Sequence, residues 1–111
     1  MSAYGSVPDE DVKAVRSAVR VAGRVASALP AGAAPWRSLA YELVLEGILS
    51  DWVANGTNQL EPDDEEDLTS LMLLAADVAL EHPEEALRET TFRVVLRQAM
   101  ADWTANWNLE E

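Results

Sequence analysis

The chain has 111 residues, with 20 Asp and Glu against 8 Lys and Arg, one His, four Trp and no Cys. That length corresponds to one domain, and 49% hydrophobic residues place it outside the disordered class. Disulfides and thiolate zinc sites are excluded, and no apolar run approaches the roughly 18 residues of a membrane span. The opening MSAYGSVPDE has neither a basic nor an apolar signal region, so a cytoplasmic protein is the expectation. The Ala, Val and Arg usage with a single Lys is compatible with a GC-rich bacterial genome.

Prolines punctuate the chain. Pro8 precedes a first helix near 8–29, with Asp9, Glu10 and Asp11 in its first turn, where negative charge complements the helix dipole. Its Val12, Val15, Val19, Ala22, Ala26 and Leu29 form one apolar stripe, and Lys13, Arg16, Arg20 and Arg24 form a basic row beside it. Pro30, in ALPAGAAP, stops this helix. Pro35 opens a second helix near 35–55, which Gly56 ends after Asn55. Its core face is Tyr41, Val44, Leu45, Ile48 and Trp52; Glu42, Glu46 and Ser50 face water.

Pro62 opens a third helix near 62–81 behind the acidic run EPDDEED. One face carries Leu68, Leu71, Met72, Ala75, Val78 and Ala79, while Leu73 and Leu80 project away from it, the pattern of a helix buried on more than one side. Pro83 opens a fourth helix near 83–107. Strand signals are absent, so the fold class is all-α.

Residues 43–55 (LVLEGILSDWVAN) and 94–106 (VVLRQAMADWTAN) match at an offset of 51, with Val44/Val95, Leu45/Leu96, Asp51/Asp102, Trp52/Trp103, Ala54/Ala105 and Asn55/Asn106 identical. The register weakens across helices 1 and 3, where length changes shift it. This predicts a four-helix domain spanning 1–111, made of two tandem αα-hairpins, 8–58 and 62–108, related by a pseudo-twofold axis. An antiparallel crossing of helices 2 and 4 about that axis would pair Arg37 with Asp102 and Asp51 with Arg88. These would be structural ion pairs that fix register more than they add stability. The two DWxAN pentads fit the same plan, with each Trp filling space between hairpins.

Catalytic chemistry finds little support. The single His82 sits in the turn EHPEE, where solvation is its ordinary role. Glu42 and Glu46 are one turn apart, but helix 4 offers Arg93 and Arg97 where a di-iron bundle needs a Glu-x-x-His pair. No phosphate-binding glycine loop or calcium-loop pattern occurs, and the acidic run lacks the spacing of one. No enzymatic activity, cofactor or metal is expected.

Charge is distributed unevenly. Residues 1–59 hold six acids and five bases, net −1; residues 60–111 hold fourteen acids and three bases, net −11. Direct nucleic-acid binding is disfavoured, with the basic row of helix 1 its one foothold. The leading expectation is a helical protein–protein interaction module, an adaptor, regulator or assembly protein. It would meet a protein partner or a second copy through Leu73 and Leu80, with Glu61, Asp63, Asp64, Glu65 and Glu66 as an acidic surface. The alternative is an acidic inhibitor or neutraliser (antitoxin, immunity protein or nucleic-acid mimic) that binds a basic partner. A ligand-binding bundle, which needs inward carboxylates, and a DNA-binding protein using helix 1 rank below both.

Overall fold

In a computed structural model, residues 9–55 and 60–109 are described, with the side chains of residues 11–54 and 60–104. Pro8, Gly56 and the side chains of Asn55 and Asn106 lie outside the described residues. Four helices, α1 (Asp9–Ser27), α2 (Arg37–Asn55), α3 (Pro62–Leu80) and α4 (Arg88–Leu109), pack around one apolar core, and the described residues form no strand. None of these helices is long and apolar enough to cross a membrane.

Pro62 is the first residue of α3, where its missing N–H costs nothing. Asp64 closes the cap there: its carboxylate accepts the Glu61 N–H at 2.8 Å, and its own N–H reaches the Glu61 carbonyl at 3.0 Å. Pro35 and Pro83 act one step earlier than the sequence pattern predicts. Pro35 lies within a 3-10 helix, Ala31–Trp36, that feeds α2, and Pro83 precedes a short 3-10 turn, Glu85–Leu87, that feeds α4. Arg88 ties this second connection down by donating from Nε to the His82 carbonyl at 2.9 Å.

The packed pairs are α1 with α2, α3 with α4, α2 with α4 and α1 with α3, while the diagonal pairs pack far less. Each hairpin is thus a layer, and the second lies against the first. The direction of this packing follows from two contacts on each side. Trp36 at the start of α2 stacks on Phe92 at the start of α4, with ring centroids 5.1 Å apart, and Gly47 in mid-α2 meets Met100 in mid-α4. Along α1 and α3, Arg24 reaches Glu65, and a Cβ on Gly32, just beyond α1, would lie 3.9 Å from the side chain of Leu80 at the end of α3. Both sets run in the same chain direction. The hairpins therefore stack in the same sense, and the antiparallel crossing of helices 2 and 4 predicted from sequence is not the one adopted.

Burial agrees with the stacked arrangement. A twofold axis would bury equivalent residues alike, whereas a same-sense stack brings opposite flanks of α2 and α4 together. On α2 the buried set is Ala40, Leu43, Val44, Ile48 and Asp51. On α4 it is Phe92, Leu96, Met100 and Trp103, whose counterparts at offset 51 are the half-buried Tyr41, Leu45, Leu49 and Trp52. The buried arc has turned by one residue, about 100° of helix. The apolar stripe of α1 is likewise rotated: Ala18, Val21, Ala22, Val25, Ala26 and Leu29 are buried, whereas Val15 and Val19 are exposed. The neighbour on the α3 side sets that direction, and local periodicity does not encode it.

Candidate interaction surface

The outer side of the second hairpin leaves several apolar side chains open. On α3, Leu68, Met72, Ala75, Ala76 and Ala79 face the core, which leaves Leu74 and Val78 exposed. On α4, Val94 is exposed beside the half-buried Val95 and Ala99. Leu74, Val94, Val95 and Ala99, together with Leu71 and the indole of Trp103, line a groove of about 710 Å³ between the two helices. Its rim is polar and acidic, with Asp67 and Ser70 on α3 and Gln98 and Asp102 on α4. Gln98 Nε2 donates to Asp102 Oδ1 at 3.0 Å, one turn apart on the same helix, which fixes the carboxylate at the rim.

No family model, curated protein or solved structure matches this chain.

The groove differs from the surface predicted by sequence. Leu73 and Leu80 are half-buried and pack against the core, Leu80 over the 3-10 helix at Gly32. The leucine that projects from α3 is Leu74, and Val78, assigned to the core face from sequence, accompanies it. A signal for this was present, because a helix apolar most of the way round must meet neighbours on several sides. Which side stays uncovered depends on where α1 and α4 lie.

The acidic residues at the start of α3 divide by role. Asp64 is buried as the cap. Glu65 meets Arg24 of α1: Nη2 donates to Oε1 at 2.8 Å, and Nε donates to Oε1 and Oε2 at 3.0 and 3.2 Å. These hydrogen bonds and the attraction of opposite charges hold the Glu65 carboxyl below its usual value and raise Arg24 above its own. Both side chains are substantially solvent-exposed, so the bridge fixes register between hairpins more than it stabilises. Glu61, Asp63 and Glu66 remain exposed.

Arg24–Glu65 is the ion pair of the described residues; Arg37–Asp102 and Asp51–Arg88 do not form. Same-sense packing puts Arg37 and Asp102 at opposite ends of α2 and α4, and Asp51 and Arg88 likewise. Arg37 is exposed, Arg88 serves the His82 carbonyl, and Asp102 accepts from Gln98. Asp51 is buried and has an interaction of its own. His82 uses Nδ1 to accept the Glu84 N–H at 3.0 Å, a turn-closing role. Among the described residues no group of three or more His, Asp or Glu is placed to hold a metal ion.

Proposed function

We infer that the chain is a protein–protein interaction module built from one αα-hairpin written twice, with the α3/α4 groove as its docking face. The open apolar groove with its acidic rim carries this reading. A groove of this kind accepts a helix or hairpin whose apolar side covers Leu74 and Val94 and whose bases meet Asp67 and Asp102. The identities at offset 51 support the duplication, and the same-sense stack supplies a relation between the copies that needs no twofold axis. An adaptor or assembly role is consistent with this arrangement.

The test is co-purification from the native host, comparing the wild-type chain with Val94→Asp. Val94 is exposed, so the substitution leaves folding intact while placing a charge in the groove. A partner recovered with wild type and lost with Val94→Asp is expected. A partner retained equally by both overturns the assignment of the groove.

The exposed Glu61, Asp63 and Glu66 favour a second reading, the acidic neutraliser of a basic protein. Its mark is capture that Glu66→Lys and roughly 0.5 M salt abolish while Val94→Asp does not.

A further inference from the structure

The groove between α3 and α4 has a counterpart inside the molecule. Helices 2 and 4 correspond at offset 51. Helices 1 and 3 correspond at offset 53, where Asp11/Asp64, Ser17/Ser70, Ala22/Ala75, Val25/Val78 and Ala26/Ala79 are identical. In this register the first hairpin's buried Val21 and Val25 on α1 and Leu43 and Ile48 on α2 are at most 5% exposed. Their equivalents in the second hairpin are Leu74, Val78 and Val94, at 57%, 40% and 61%, and the half-buried Ala99. The converse comparison gives the same result. Leu68, Met72, Leu96 and Met100 of the second hairpin are at most 4% exposed. Their equivalents are Val15 and Val19, at 39% and 38%, and the half-buried Leu45 and Leu49. One interface is made within the chain, and each of its two halves recurs uncovered at an opposite end of the stack.

We propose that the groove is filled by a second copy of this chain, whose first hairpin stacks on α3 and α4 as those helices stack on α1 and α2. The proposal rests on the reading of the groove as a docking face, and it names the occupant. It continues an interface the molecule already makes, and a repeat stack without polar end caps is built to extend. Charge disfavours the pairing of two grooves. The internal bridge joins Arg24 to Glu65 and is not repeated at the open ends, where the equivalent of Arg24 is Asp77 and that of Glu65 is Val12, flanked by Asp11 and Lys13. The first hairpin, net −1, is the better match for the second at −11, whereas tail-to-tail contact sets −11 against −11. Such a contact is heterologous and does not close on itself, so association proceeds beyond a dimer.

Sedimentation equilibrium on the full chain over a wide concentration range reads this directly, using Val94→Asp at the groove and Val15→Asp at the opposite end. Wild type is expected to rise in mass past two copies, and each variant alone to stay monomeric with unchanged helical circular dichroism. Mixed, the two variants retain one intact groove and one intact opposing face, and should form a heterodimer that grows no further. A wild-type chain that stays monomeric throughout overturns the stacking. So does a wild-type assembly that stops at two, or a pair of variants that fails to associate when mixed. Monomeric wild type combined with a foreign partner lost in Val94→Asp removes this proposal alone and leaves the interaction module in place.

Discussion

Gly47 is the point at which the stacking can be tested by one methyl group. A Cβ at this position would fall on the Met100 Cε and lie 3.2 and 3.3 Å from its Cβ and Cγ. Two effects oppose each other in Gly47→Ala. Replacing glycine in a helix interior stabilises by about 0.5–1 kcal/mol, and pressing a methyl group onto Met100 costs about 1–3 kcal/mol. Contact should win, leaving the variant about 1 kcal/mol less stable, or roughly 4–8 °C in Tm for a domain of this size. Met100→Ala, at a site only 4% exposed, costs about 2–5 kcal/mol by itself but removes the two outer atoms of the clash. In that background Gly47→Ala should cost nothing or stabilise, a coupling of about 1–2 kcal/mol in a double-mutant cycle read by urea unfolding. Equal stabilisation by Gly47→Ala in both backgrounds would mean that Gly47 and Met100 do not touch, and the α2/α4 packing would be refuted.

Three further outcomes follow from particular residues. A Cβ on Gly23 meets no atom within 4 Å, so Gly23→Ala should raise stability by about 0.5–1 kcal/mol in thermal unfolding; a loss would show that the α1 surface is occupied there. Asp64→Ala removes the acceptor of the Glu61 N–H and should cost about 1 kcal/mol, while Asp63→Ala, at an exposed neighbour, should change little. Glu65 ionises more readily in the folded chain, so its contribution is present above the ordinary carboxylate range and fades as pH falls through its lowered value; the raised Arg24 stays charged throughout. Tm profiles of wild type and Glu65→Gln should therefore differ slightly at neutral pH and converge as the pH falls below the ordinary carboxylate range; a gap undiminished in acid contradicts the bridge.

Local features were readable from sequence where their cause is local. Pro62 with the acids behind it marks the start of α3, and the basic row Lys13, Arg16, Arg20 and Arg24 is exposed on α1. Glu42, Glu46 and Ser50 face solvent on α2. What escaped the sequence depends on neighbours distant in the chain. Val15 and Val19 share the spacing of a core stripe, but α3 packs on another flank of α1, and the valines stay open. Asp51 and Asp102 occupy matching positions in the two pentads, yet one is buried and the other exposed. The crossed ion pairs followed from an assumed twofold axis, and same-sense packing separates their members. The groove was recognisable only as a surplus of apolar residues on α3; its location at Leu74 and Val94 required the fold.

The same-sense stacking of the hairpins is tested most directly by distance. The natural chain has no Cys, so spin labels can be placed in pairs at the exposed Ser38, Glu89 and Asp102 without background. Pulsed electron resonance should give a short Ser38–Glu89 distance, both sites lying at the same end of α2 and α4. Ser38–Asp102 should be longer by several ångströms, because Asp102 lies 13 residues, about 20 Å of helical rise, further along α4. A Ser38–Asp102 distance shorter than Ser38–Glu89 would reverse the direction of α4 and contradict the stack, the groove and the self-assembly built on it.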